Sequence, residues 1–164
     1  MSEREHVIIA RTSFSATDAL CFAASLTGDI EAKVESDIIY PYYCFDATCS
    51  VPTMVGRKKV SLLCLVDAIN GLGATADNFE LKSEAVDTKS LLRGDMGDTD
   101  AREIAHRTVT HHLGRKLRTI TTFDVSLQAR GLVHKRFWIV QTSEARVMVD
   151  STTGGFHPLK LRAA

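Results

Sequence analysis

The sequence predicts an α+β fold of two halves, each made of a helix and a three-stranded antiparallel meander. The first observation is a repeated strand ending: an apolar run leads into Asp67 and reaches Gly71 after three further residues. The same spacing joins Asp150 to Gly154. The second observation is a helix-like stretch ahead of each meander. A bare meander is unstable, so we expect each helix to cover the meander that follows it. The pattern is consistent with a pseudo-twofold duplication forming one compact domain.

Composition limits the class of protein. A chain of 164 residues accommodates one ordinary domain. Lys+Arg and Asp+Glu both number 20, which argues against a dedicated nucleic-acid binder and permits self-association. No apolar run approaches the roughly 18 residues of a membrane span, and the charged start shows no signal peptide. We therefore expect a cytoplasmic protein with no membrane partner and with reduced cysteines.

The first half is predicted to span residues 1–86. Ser13 or Ser15 should open its helix, with Ser15 and Asp18 forming a capping box, and the helix should end at Gly28. Pro41 cannot donate to a sheet ladder, so we expect two strands, or one sharply bent strand, around it. The predicted strands are His6–Arg11, the aromatic stretch Ile38–Phe45 and Lys58–Asp67.

A linker over residues 87–98 leads to a second half over 99–164, and one extra short strand is expected at Phe79–Glu84. The second helix should start at Asp98, since acidic residues fill its first turn and cations its last. Gly131 is expected to turn one strand into the next. The predicted strands are Thr119–Arg130, Val133–Thr142 and Ala145–Asp150.

The repeated ending resembles that of the PepSY family, small α+β modules with cystatin-like organisation. Their last strand commonly ends in a Val-Asp-Ala-x-x-Gly turn. Residues 66–71 fit this pattern, and residues 149–154 fit it with serine in place of alanine. The resemblance would cover most of the chain as a tandem pair. It implies a role in binding or restraining other proteins, often peptidases, without catalysis.

Three histidines on the second helix are the best candidates for chemistry. His106, His111 and His112 are separated by five, six and one positions, whereas a metal pair on a helix needs three or four. The pattern favours one partly buried histidine and two surface ones. We expect His112 to lie within the apolar stripe of Ala101, Ala105 and Val109 and to face the sheet.

Other motifs give no catalytic residue, metal ligand or cofactor site. Cys44 and Cys49 lie at the edge of zinc-ligand spacing and on opposite faces of a strand, so they are interpreted as core cysteines. There is no G-x-S-x-G nucleophile motif, and Gly71-Leu72-Gly73 lacks the third glycine of a dinucleotide fingerprint. Asp67 and Asp150 are interpreted as turn-capping residues rather than an acid pair.

The leading functional prediction is a non-enzymatic protein-binding or assembly module. It would use its sheet edges, or the aromatic strand with Tyr40, Tyr42 and Tyr43, to meet another protein or a second copy. One alternative is a small-molecule-binding or enzymatic domain, with a helix–sheet pocket lined by His112 and by Tyr43 or Trp138. A second alternative is nucleic-acid binding by the second helix, which carries five cations, Arg102, Arg107, Arg115, Lys116 and Arg118.

Overall fold

The computed structural model describes residues 2–117 and 124–159. The predicted α+β class is confirmed, since these residues form two helices and an eight-stranded sheet. No helix in this part of the chain is long and apolar enough to cross a membrane. The elements are β1 (Arg4–Ala10), α1 (Ala16–Thr27), β2 (Lys33–Thr53), β3 (Gly56–Asp67), β4 (Gly73–Ala76), β5 (Leu81–Asp87), α2 (Asp98–Leu117), β6 (Asp124–Gln141), β7 (Arg146–Asp150) and β8 (Phe156–Leu159).

The sheet has the strand order β4-β3-β2-β6-β1-β5, with β7 beside β6 and β8 beside β7. Each helix is followed by an antiparallel meander, β2-β3-β4 after α1 and β6-β7-β8 after α2. The predicted strand bounds differ from those observed. β2 continues through Pro41, which is fully buried and accepts a 3.2 Å hydrogen bond from Ala68 N. The third strand of the first meander is therefore β4, which the sequence did not predict.

The predicted turn at Gly131 is also wrong, because β6 runs through it without a break. Gly131 has φ 86°, a conformation that glycine adopts at little steric cost, so the strand absorbs a local irregularity instead of reversing. The start of the predicted strand Thr119–Arg130, and Arg118 before it, lie outside the described residues. The extra strand expected at Phe79–Glu84 is present as β5.

The chain forms two compact units, each built from several segments. Unit 1 contains residues 1–40, 80–92 and 134–164, and unit 2 contains residues 41–79 and 93–133. The predicted halves, 1–86 and 99–164, divide the chain differently. The difference arises because β2 and β6 are long enough to contribute one segment to each unit.

The core of unit 1 lies beneath α1. Ala19 and Ala23 are fully buried and pack with Val140, Val147 and Val149 on β6 and β7. The expectation that α1 covers its own meander is therefore wrong. The predicted caps are both present: Ser15 and Asp18 form the capping box, and Gly28 closes the helix at φ 67°. A second cluster joins β1, β2 and β5, formed by Val7, Ile9, Ile39 and Val86.

The core of unit 2 lies beneath α2. A stripe at four-residue spacing, Ala101, Ala105, Val109 and Leu113, is buried against β2 and β3. The small alanines allow a close approach to the larger strand residues, which include Phe45, Cys64 and Val66. α2 thus covers the first meander, and Val125 and Leu127 near the start of β6 pack partly buried against the same cluster.

The two aspartate turns have matching hydrogen bonds. Asp67 Oδ1 accepts from the backbone N–H groups of Ile69 and Asn70, and Gly71 N donates to Asp67 O. In the second turn Asp150 Oδ1 accepts from Thr152 and Thr153, and Gly154 N donates to Asp150 O. Gly71 and Gly154 have φ of 72° and 76°. The prediction that both aspartates cap turns is confirmed.

Candidate binding groove beside strand β4

Two of the predicted binding residues, Tyr40 and Trp138, lie in unit 1, where they pack within the fold. Tyr40 is half-buried, and its ring meets that of Phe137 edge to face at 6.1 Å between centroids. Trp138 is also half-buried; its Nε1 donates to Phe14 O at 2.9 Å, and the Arg136 guanidinium lies 5.5 Å from the centre of its ring. These contacts are those of residues packed within the fold.

The other two predicted aromatic residues, Tyr42 and Tyr43, lie in unit 2 and are also half-buried. Tyr43 donates from its hydroxyl to Met96 O at 2.6 Å and packs against the α2 core. Tyr42 lies opposite Asp67 in the β2–β3 ladder. Neither ring is fully exposed to a partner along this strand.

His112 lies elsewhere than expected. It is exposed and outside the buried stripe, because Leu113 follows Val109 at four-residue spacing and takes the core position. Its Nδ1 lies 3.4 Å from Thr75 Oγ1, next to β4. His111 and His112 both line the groove described next, whereas His106 lies apart and lines a different depression.

A groove of about 940 Å³ runs between α2 and the segment that contains β4. The strand side is the continuous run from Gly71 to Thr75. The helix side follows one face at spacings of three and four residues, comprising Ile104, Arg107, Thr108, His111, His112, Arg115 and Lys116. The groove belongs entirely to unit 2.

Two glycines allow the strand side to lie against the helix. A Cβ atom on Gly73 would lie 2.0 Å from Thr108 Oγ1, so only glycine fits there without movement. Gly71 has φ 72°, and a Cβ there would meet Met96 Cε at 3.0 Å. Thr108 is itself held by a 2.8 Å hydrogen bond from Oγ1 to Ile104 O. The groove wall is therefore closely packed at its base.

The groove is cationic. Arg107, Arg115 and Lys116 are exposed along it, together with His111 and His112. No carboxylate is among the described residues that line it. Cations gathered along a concave surface raise the local concentration of anionic groups.

The groove also exposes an edge of the sheet. Within the described residues β4 pairs with β3 alone and ends the strand order. Side chains of a strand alternate between faces, so a groove lined by the consecutive strand residues Gly73, Ala74 and Thr75 approaches β4 from its edge. Leu72, at the start of this edge, is 70% exposed.

The cysteines offer no competing site. Cys44, Cys49 and Cys64 are buried, and burial raises the pKa of each thiol, that of Cys64 to about 11. High thiol pKa values disfavour the thiolate that binds zinc or attacks substrates. In the described part of the chain no three His, Cys, Asp or Glu residues converge as a metal site.

In comparisons with family models, curated proteins and solved structures, nothing matches the chain. Sequence reasoning identified His112 and the cations of the second helix but missed Gly73, Thr75 and the β4 edge. The four-residue spacing of Arg107, His111 and Arg115 was a signal that could have found the cationic face.

Proposed function

We propose that the protein is a non-enzymatic protein-binding module that accepts an extended segment of a partner along the edge of β4. The observation that carries the proposal is the open groove along the edge strand β4, lined by its residues Gly73, Ala74 and Thr75 and by the two residues that precede them. An edge strand presents unpaired backbone N–H and C=O groups, which an extended peptide can pair with as an added strand. Backbone pairing would supply affinity, and the α2 face would supply selectivity.

The chemistry of the α2 face favours an acidic segment. Arg107, His111 and Arg115 follow one another by one helical turn, about 6 Å along the axis. Alternate side chains of an extended peptide lie on one face roughly 6.7 Å apart. Acidic residues at every second position of the partner would therefore match the spacing of these groups.

A small anionic ligand is the second candidate. The groove volume of about 940 Å³ is within the range of small-molecule sites. Thr75 and Arg107 offer a hydroxyl and a guanidinium to a carboxylate or phosphate. Catalysis is less favoured, because Thr75 and His112 lie 3.4 Å apart and neither is activated by a third group within the described contacts.

We also infer that the two meanders descend from one duplicated unit. The described elements follow the order β-α-β-β-β twice, and the two aspartate turns share their hydrogen bonds. This supports the inference, and the PepSY resemblance stays a prediction beside it. A role in binding other proteins agrees with what that resemblance implies.

Fluorescence anisotropy tests the proposed function. The probe is a labelled peptide that alternates threonine and glutamate, and the full chain is titrated at low and at physiological salt. Arg107→Glu with Arg115→Glu should weaken binding about tenfold or more, because the charges then repel the probe. The matched control reverses two exposed lysines outside the groove, Lys33→Glu with Lys89→Glu, and should bind like the wild type.

A second probe separates strand addition from charge attraction. The same peptide, N-methylated at alternate residues, keeps its carboxylates but loses the N–H groups that pair with an edge. It should bind much more weakly than the unmodified probe. Equal binding of the two peptides would exclude strand addition and favour the small-anion candidate. Tighter binding of a single-stranded oligonucleotide than of either peptide would favour the nucleic-acid alternative.

A further inference from the structure

The tip of the β2–β3 hairpin, in unit 2, is a second surface with a distinct character. All residues from 52 to 59 are exposed. At the turn itself Met54 and Val55 are 105% and 98% exposed, so both apolar side chains are in solvent. Neither belongs to a hydrophobic cluster of the described residues.

The turn chemistry gives no folding reason for these two residues. Met54 and Val55 are the central residues of a two-residue hairpin loop between Thr53 and Gly56. Such loops favour Asn-Gly, Asp-Gly or Gly-Gly, because their central residues often need positive φ. In this turn the positive φ, 131°, falls on Gly56, so the turn does not call for a methionine or a valine at positions 54 and 55, and residues that folding does not require point to function.

A collar of cations follows the apolar tip. Arg57, Lys58 and Lys59 lie two, three and four ladder positions behind the turn, which is roughly 7, 10 and 13 Å at the rise of a strand. Arg57 Nη1 lies 3.5 Å from Asp124 and 3.2 Å from Ser50 Oγ. Among the described residues no carboxylate pairs with Lys58 or Lys59, and both are exposed.

We propose that this hairpin tip docks on an anionic lipid surface. Apolar side chains of peripheral proteins insert about 5–10 Å into the headgroup and acyl boundary. With Met54 and Val55 at that depth, Lys58 and Lys59 are level with the phosphates and carboxylates of the headgroups. Their aliphatic stems pass through the boundary while the ammonium groups stay in the polar layer. The contact departs from the expectation of no membrane partner. It is peripheral and needs no membrane-spanning helix, and it is independent of the β4 groove.

Vesicle flotation of the full chain tests the proposal, using phosphatidylcholine vesicles with and without phosphatidylserine. Binding should need phosphatidylserine and should weaken as salt rises. Lys58→Gln with Lys59→Gln should lower affinity about fivefold for each cation removed. Met54→Asn with Val55→Gly should abolish binding while keeping the hairpin, because Asn-Gly is the favoured two-residue loop. Ile30→Asn, at a residue 97% exposed in unit 1, is the matched apolar control and should bind normally.

Three results would overturn the proposal. The first is no binding to phosphatidylserine vesicles at low salt. The second is binding that the Met54→Asn, Val55→Gly variant retains in full, which would make the attraction purely electrostatic. The third is equal loss in the Ile30→Asn control, which would assign the contact to general surface hydrophobicity. Circular dichroism of each variant confirms that the fold persists.

Discussion

Gly73 on β4 lies so close to Thr108 on α2 that a Cβ atom at position 73 would come within 2.0 Å of Thr108 Oγ1. Thr108 has little freedom to yield, since its hydroxyl donates to Ile104 O one turn earlier. This contact sets the distance between the β4 edge and the cationic face of α2, and with it the width of the groove.

Gly73→Ala should therefore destabilise the protein and disturb the groove together. Overpacking of this kind costs about 1–3 kcal/mol of unfolding free energy. Thr108→Ala in the same chain removes Oγ1 and should restore part of that loss. Urea denaturation of the two single variants and the double variant measures the coupling. Additive losses would show that the two residues do not press on each other.

Gly114→Ala is the matched control for that experiment. Gly114 lies inside α2, and a Cβ there would meet no atom within 4 Å. Alanine should raise the free energy of unfolding by about 0.5–1 kcal/mol, because glycine loses more backbone entropy in a helix. A decrease in the unfolding free energy, measured by the same urea titration, would mean that a Cβ atom at position 114 collides with a neighbouring group.

Local signals predicted the parts of the fold that depend on neighbouring residues. The capping box at Ser15, the αL cap at Gly28 and the turns at Asp67 and Asp150 are hydrogen bonds within a few positions, so the residue types determine them. Neighbouring residues do not reveal which strands each helix packs against, because those strands are distant in the sequence. An alanine stripe on α1 shows that one face is buried but not that β6 and β7 cover it.

The candidate site was harder to predict for the same reason. β4 has the sequence Gly-Ala-Thr-Ala, which lacks the β-branched and apolar run that marks a strand. Its pairing with β3 comes from the turn at Asp67, which returns the chain beside the strand it has just left. Helical spacing places His112 next to the stripe of Ala101, Ala105 and Val109, but Leu113 fills the buried position there and His112 lies exposed beside it.

The two aspartate turns should differ in their contribution to stability. Asp150 is 7% exposed, and its Oδ2 accepts a 2.7 Å hydrogen bond from Lys135 Nζ, which is itself mostly buried. Asp150→Ala removes both the acceptor of the turn and the carboxylate that pairs with Lys135. It should lower the unfolding free energy by about 3 kcal/mol or more. Asp67→Ala, at a half-buried turn, should cost about 1 kcal/mol.

Asp150→Asn separates the two roles of that residue. The amide oxygen can still accept from Thr152 N, so the turn is kept, while the charge opposite Lys135 is lost. Its unfolding free energy in urea should fall between those of the wild type and Asp150→Ala. Equal losses for Asp67→Ala and Asp150→Ala would contradict the assignment of extra stability to the Lys135 pair.

The free energy of unfolding should decrease in acid, partly because Glu84 becomes protonated. Burial alone would raise the pKa of Glu84, but hydrogen bonds from Arg136 and Lys82 outweigh it and hold the pKa below the ordinary value. A carboxyl group whose pKa is lower in the folded than in the unfolded state stabilises the fold fully at pH values above the ordinary glutamate range. That contribution is lost as the pH falls through the folded-state pKa. Urea titrations between neutral pH and about pH 3 should show a smaller acid loss for Glu84→Gln than for the wild type.

Glu80→Gln is the control for this measurement. Glu80 pairs with Arg11 at 2.7 Å, but its side chain is 72% exposed, so solvent screens the pair. The unfolding free energy of Glu80→Gln should therefore depend on pH as that of the wild type does. If Glu84→Gln and Glu80→Gln have the same acid profile as the wild type, the Arg136 network does not contribute to acid sensitivity.

Thiol reactivity should divide the four cysteines into one reactive residue and three protected ones. Cys21 is exposed on α1, whereas Cys44, Cys49 and Cys64 are buried. Burial raises the pKa of each buried thiol, to about 11 for Cys64, so the thiolate that reacts with iodoacetamide is scarce near pH 8 and is also sterically hidden. Mass spectrometry after a short exposure should find one modified site in the native protein and four in urea. Rapid modification of Cys64 in the native protein would contradict the closely packed α2–β3 core, because the reagent reaches that sulfur only when α2 separates from the sheet.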